Sequence, residues 1–341
     1  MDAVSAGTGR TPPDRPASSD PVPAGAAPAA GAARARIRGL FPVLLLAALC
    51  TAFALLSPRF LTVGNGLVVA QQSVVLLVAA LGMTFVIVNG SIDLSVGSIV
   101  ALSALVTAST STALGPFAVV PAMLAGLACG LLNGGIFARG RVPSFIVTLG
   151  TMVIFRGVVL YWTRGAPVSI QSFEFLDVFA GRTLGVPNAV LIAAAALALA
   201  WVVFEHTVFG REVRAVGGGE RVAHLSGIRV DRVKIGVFAI SGLLCGLAGA
   251  LQASRTMAAT AQLGEGLELD VIAAVVVGGT PLTGGVGSMG GTLIGVLIIS
   301  VMSNGMNMVG VDPYLQSIAK GLVLVLAVFV TIDRKKIRII K

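Results

Sequence analysis

Charged residues are scarce in this chain. They make up 11% of its 341 residues, whereas roughly a quarter is usual in soluble domains. Hydrophobic residues make up 56%, and the mean hydropathy is +0.95. This balance excludes an ordinary soluble domain, so we expect most of the chain to lie in lipid.

Residues that bind metals or form disulfides are also few. The three cysteines, Cys50, Cys129 and Cys245, lie inside apolar runs and have no paired spacing. His206 and His224 are the only histidines. We therefore expect no metal site, no disulfide framework and no cofactor.

The sequence also lacks the signatures of an enzyme. No glycine-rich loop ends in Lys-Ser or Lys-Thr, which excludes a nucleotide site of the P-loop kind. No cluster of polar residues that could serve catalysis lies within the apolar runs, so the sequence does not favour an intramembrane enzyme. The net charge is +9, but no aromatic residues alternate with a basic face, so we expect no nucleic-acid partner.

Apolar runs account for most of the chain, and each membrane span needs about 20 residues. The sequence predicts an all-α polytopic membrane protein with about ten transmembrane helices, some of them broken or re-entrant. The eighth run is too short to cross a bilayer alone. The predicted spans are 39–57, 67–88, 96–113, 117–137, 143–162, 187–204, 233–253, 268–279, 287–305 and 314–332.

Between the two ends of the chain lies one transmembrane domain, residues 36–333. Residues 1–35 are rich in Pro, Ala and Gly, which predicts a disordered tail, and residues 334–341 form a basic tail. If both termini are cytoplasmic, an even number of spans places every basic cluster on one side of the membrane, as the positive-inside rule requires. A miscount by two spans would preserve this result.

One long hydrophilic stretch, residues 205–234, interrupts the apolar runs. It holds a glycine triplet at 217–219, a short polar run at 220–226 that predicts two helical turns, and Gly227 as a helix stop. Val222 and Leu225 are three residues apart, so they share a face of that helix. A compact basic element on one membrane face favours a protein partner.

Two further stretches, 89–98 and 278–287, are polar and contain no basic residue. Irregular backbone at membrane depth is tolerated where protein or a water-filled cavity satisfies it, so both are candidates to line a pathway. Asp93 and Asp270 begin similar successions of small-residue helices, which favours an internal repeat of the kind common in transporters.

Four ionisable residues fall in or near the predicted spans: Asp93, Arg156, Asp270 and Lys320. A charge at the bilayer centre costs about 2.5–3.5 kcal/mol on insertion scales. Such residues serve a substrate pathway or ion coupling, or else they reach the interface or form structural ion pairs. Their partners are not evident from the sequence.

Four stretches together resemble the permease subunits of bacterial ABC importers for simple sugars, the ribose, xylose, arabinose and galactoside group. The resemblance covers about residues 36–333. This chain departs from the family at Gly219, where an asparagine is usual and would cap the next helix. The matching stretches are SIDLSVGS at 91–98 and the segments 130–157, 215–249 and 285–321.

The resemblance implies a multi-pass inner-membrane subunit that works by alternating access. Its expected partners are a cytoplasmic ATPase subunit, a periplasmic sugar-binding protein and a second permease copy, identical or related. The ATPase is expected to dock at Gly218, Glu220, Arg221, Val222, Leu225 and Gly227. A neutral sugar suits uncharged polar side chains, and the pathway candidates are Asn89, Ser91, Asp93, Asn133, Thr148 and Asn304.

Alternatives remain at this point. An ion-coupled secondary transporter would use Asp93 and Asp270 as coupling groups. Within the ABC interpretation the solute is open: a pentose, a hexose, a sugar alcohol, a furanosyl signalling molecule or a nucleoside.

Overall fold

The computed structural model describes residues 28–331, which are mostly helical. The α-helices are α1 (Pro28–Leu56), α2 (Val63–Val88), α3 (Val96–Leu114), α4 (Val119–Gly140), α5 (Ser144–Thr163), α6 (Phe173–Ala180), α7 (Asn188–His206), α8 (Val208–Gly218), α9 (Glu220–Leu225), α10 (Val230–Thr256), α11 (Leu267–Val277), α12 (Met289–Val309) and α13 (Pro313–Thr331). A 3-10 helix, Gly115–Ala118, joins α3 to α4. The chain divides into two units, residues 1–38 and 39–341.

Four two-residue strands are the only β-structure among the described residues. Strands β1 (Val168–Ser169) and β4 (Ala258–Ala259) pair antiparallel, as do β2 (Arg182–Thr183) and β3 (Val186–Pro187). The pair β1–β4 ties the segment after α5 to the segment after α10. These strands and α6 were not predicted from the sequence.

Every apolar run predicted as a span coincides with a helix. Nine of the ten agree with the structure within four residues at each end, and α1 begins earlier, at Pro28. Residues 28–35, assigned from the sequence to the tail, are therefore helical. Residues 1–27 of that tail and the basic segment 334–341 lie outside the described residues.

The number of membrane crossings is a separate question from the number of helices. Six helical segments in the described part are long and apolar enough to cross a bilayer, and one of them, Val96–Gly140, holds two of the predicted spans. Helix α11 has 11 residues, about 16 Å, which is short of a hydrocarbon core of about 30 Å. The run at 268–279 is confirmed as too short, and the total of ten crossings stays a prediction.

Helix α2 forms the centre of the bundle, since every residue from Ser73 to Val88 is buried. Helix α10 packs against α2, α3 and α4. At the α4–α10 contact the backbones touch: a Cβ at Gly126 would overlap the carbonyl of Gly242, and one at Gly130 the carbonyl of Phe238. Small residues allow this close packing where lipid provides no hydrophobic drive between helices.

Candidate functional site

The hydrophilic segment 205–234 folds into two helices, α8 and α9. Thr207 caps α8, because its Oγ1 accepts a hydrogen bond from the Gly210 amide at 3.3 Å. The predicted short helix at 220–226 is observed as α9, and Gly227 follows it with φ +83°. Gly219 precedes α9 and offers no side chain as a cap. Helix α8 was not predicted.

Helix α9 is fixed to the bundle on one side. The Lys234 Nζ lies 2.8 Å from the Glu220 Oε1 and 4.7 Å from the centre of the Phe137 ring. Ala223 is 3% exposed, and its carbonyl accepts a hydrogen bond from the Ile228 amide at 3.1 Å. The ion pair is partly exposed and contributes little by itself, so burial of Ala223 is the firmer attachment.

The opposite side of α9 is exposed and partly apolar. Val222 is 68% exposed and Leu225 is 77% exposed, with Arg221 beside them. A groove of about 1000 Å³ runs along α9, between the end of α4 and the start of α10. Arg139 and Arg141 contribute positive charge to its wall. We call α9 and this groove the coupling surface.

Helix α8 connects the coupling surface to both polar connections, 89–98 and 278–287. A Cβ at Gly217 would overlap the carbonyl of Val88, so only glycine fits there without a shift. The same carbonyl accepts a hydrogen bond from the Gly285 amide at 2.8 Å. The two polar connections, which are far apart in sequence, therefore meet at the end of the bundle that carries α8.

Asp93 organises the first polar connection. Its Oδ1 accepts hydrogen bonds from the Ser95 amide at 2.9 Å and from the Ser95 Oγ at 2.6 Å. Its Oδ2 accepts from the Ser241 Oγ at 3.4 Å, and Asn133 donates to the Ser95 Oγ at 2.8 Å. The carboxylate is fully buried and acts here as a hydrogen-bond acceptor.

The same connection is held against the first turn of α5. The Ser144 Oγ accepts from the Ile92 amide at 3.1 Å, and the Thr148 Oγ1 accepts from the Leu94 amide at 3.0 Å. These two hydrogen bonds join residues 92 and 94 directly to α5. Neither of these two contacts was predicted from the sequence.

The structure brings five of the six pathway candidates together. Asn89 donates to the Ser91 Oγ at 3.2 Å, and both lie in the connection that Asp93, Asn133 and Thr148 support. Asn304, on α12, is hydrogen-bonded to none of them. All six side chains are buried, and the amide oxygens of three accept no hydrogen bond within residues 28–331. Those three are Asn89, Asn133 and Asn304.

The remaining intramembrane charges find partners elsewhere. Lys320 on α13 lies 2.8 Å from the Asp270 Oδ2 on α11. Arg156 on α5 donates to the carbonyl oxygens of Ala261 and Leu263. Asp93 and Asp270 thus have separate partners, serines and a lysine respectively.

Comparisons with known proteins decide the family. A family model described as "Branched-chain amino acid transport system / permease component" matches residues 65–328. The ribose import permease protein RbsC of Escherichia coli (strain K12) is 44% identical over 305 residues, which cover 88% of this chain and 94% of RbsC. The chain belongs to the permeases of simple-sugar ABC importers.

Other members of this permease family transport related solutes, according to their names. The L-arabinose ABC transporter permease protein AraH of Azospirillum brasilense is 38% identical, covering 84% of this chain and 85% of AraH. The D-allose transport system permease protein AlsC of Escherichia coli (strain K12) is 37% identical, covering 83% and 88%. No solved structure matches the chain. As a member of the family, this permease is a multi-pass inner-membrane protein.

Proposed function

We propose that this permease forms the translocation path for a ribose-type monosaccharide, driven by a separate ATPase subunit. The observation that carries the proposal is the 44% identity to a ribose import permease over 88% of this chain. Relatives named for arabinose and allose extend the same solute class. A periplasmic sugar-binding protein delivers the sugar, and a second permease copy completes the path.

The coupling surface is the proposed docking site of the ATPase. Val222 and Leu225 present an apolar pair on a short helix, and such a pair fits a groove on a partner. Because Ala223 is buried and Gly217 abuts Val88, a push on α9 reaches the connection 89–95 and, through Ser144 and Thr148, helix α5. This arrangement supports transmission of movement from the ATPase to the path.

The topology is part of the proposal. Arg139, Arg141 and Arg221 line the coupling surface, and Arg229 and Arg232 line an adjoining pocket. The positive-inside rule places that end in the cytoplasm. Both termini would then be cytoplasmic.

The six polar candidates belong to the path in this proposal. A sugar hydroxyl is a hydrogen-bond donor, and the amide oxygens of Asn89, Asn133 and Asn304 lack one. The ion-coupled alternative gains no support from contacts, since Ser95 and Ser241 donate to Asp93 and Lys320 pairs with Asp270.

Uptake of radiolabelled solutes tests the proposed function. The chain is expressed with the ATPase and binding protein of its own system, in cells that lack other ribose transporters. We expect saturable D-ribose uptake that L-leucine does not inhibit. Uptake of L-leucine without uptake of D-ribose, L-arabinose or D-allose would contradict the solute class.

A further inference from the structure

A cavity of about 280 Å³ lies between α2, α3, α10, α11, α12 and α13. Gln72, on its wall, precedes Val88 by sixteen residues on α2, which is about 24 Å along the helix. Since Val88 touches Gly217, the cavity lies in the half of the bundle away from the coupling surface. It is separate from the polar cluster around Asp93.

The cavity wall carries equal numbers of positive and negative groups. Arg255 and Lys320 contribute the positive charges, and Glu265 and Asp270 the negative ones. Lys320 and Asp270 neutralise each other at 2.8 Å. A balanced wall does not favour an anion or a cation, so it suits a solute with no net charge.

The cavity wall also carries uncharged polar side chains. Within residues 28–331, the side chains of Gln72, Gln252 and Ser303 make no hydrogen bond to another residue, although all three line the cavity. Amide and hydroxyl groups both donate and accept, as a sugar hydroxyl does. The volume is near the lower limit of about 300 Å³ for small-molecule pockets, which suits a single monosaccharide.

We propose that this cavity is a transit site for one monosaccharide, in which Gln72, Gln252 and Ser303 hydrogen-bond its hydroxyl groups. The proposal rests on the proposed function and adds a binding site within the permease itself. The sugar released by the binding protein occupies this site before the helices rock. Selection then occurs twice, once in the binding protein and once in the permease.

Equilibrium binding of radiolabelled D-ribose to the purified full-length permease tests the transit site. We expect saturable binding that Gln72→Leu and Gln252→Leu each weaken about five- to tenfold, the effect of losing a hydrogen bond or two. Gln71→Leu is the matched control, since Gln71 directly precedes Gln72 on α2 and is not part of the cavity wall. It should change the affinity less than twofold.

Each other outcome has a definite meaning. Absence of saturable binding to the wild type, or equal affinities in all variants, overturns the transit site. Displacement of D-ribose by L-leucine assigns the cavity to zwitterionic solutes and also overturns it. If uptake in cells is intact while binding is absent, only the transit site fails. If uptake is absent, the proposed function fails and the transit role fails with it, whatever the binding assay shows.

Discussion

Replacing Leu225 by aspartate is expected to release the ATPase subunit from the complex while the permease still inserts and folds. Leu225 is 77% exposed on α9, so the substitution leaves the internal packing of the permease unchanged. In the complex the new carboxylate enters an apolar contact, and burying an unpaired polar group costs a few kcal/mol. A cost of about 1.4 kcal/mol already corresponds to a tenfold loss of affinity, so we expect at least tenfold less ATPase to co-purify.

Leu184→Asp is the matched control for this variant. Leu184 is 99% exposed in the turn between β2 and β3, so it receives the same change at a site outside the coupling surface. It should co-purify the ATPase as the wild type does. Normal co-purification and sugar-stimulated ATP hydrolysis with Leu225→Asp would show that α9 is a solvated surface helix without a coupling role.

Replacing Asp93 by leucine is expected to abolish ATP-driven uptake, whereas Asp93→Asn should retain a substantial part of it. Leucine leaves the Ser95 amide, the Ser95 hydroxyl and the Ser241 hydroxyl without an acceptor. Each buried donor left unpaired costs about 1–3 kcal/mol, and the site is fully buried. Asparagine keeps an acceptor oxygen for Ser95 and nearly the same shape, so we expect uptake within about threefold to fivefold of wild type, a loss of one charge-assisted bond.

The measurement is uptake per assembled complex, with co-purified ATPase as the measure of assembly. This normalisation separates a folding defect from a transport defect. If Asp93→Asn assembles normally and transports nothing, a negative charge is required at this position. That result would contradict a role for Asp93 as a hydrogen-bond acceptor alone.

The helices that match the ten predicted spans could be predicted from the sequence because each is an apolar run with polar ends. The eleven-residue α11 was recognised as too short for the same reason. Helix α8 was missed because its apolar residues are interspersed with charged ones and form no continuous run, although Val213 and Val216 are buried on one face. The extended Val96–Gly140 segment was divided at Gly115, where the chain continues through a 3-10 helix.

The residues of the candidate site could be predicted from the sequence, but the contacts between them could not. The polar residues around Asp93 are local in sequence, so the stretch 89–98 could be recognised by its irregular polarity. The contacts with Ser144 and Thr148 span more than fifty residues, and a single sequence gives no sign of them. The Asp270–Lys320 pair and the cavity beside it likewise depend on how α11 and α13 pack.

Accessibility of the coupling surface from each side of the membrane tests the central claim most directly, since a cytoplasmic ATPase can reach α9 only from inside. Leu225→Cys and Leu184→Cys are made separately in a chain that carries Cys50→Ser, and spheroplasts are treated with a membrane-impermeant maleimide. The account predicts that Leu184→Cys is labelled in intact spheroplasts and that Leu225→Cys is labelled only after permeabilisation. Labelling of Leu225→Cys in intact spheroplasts would contradict it.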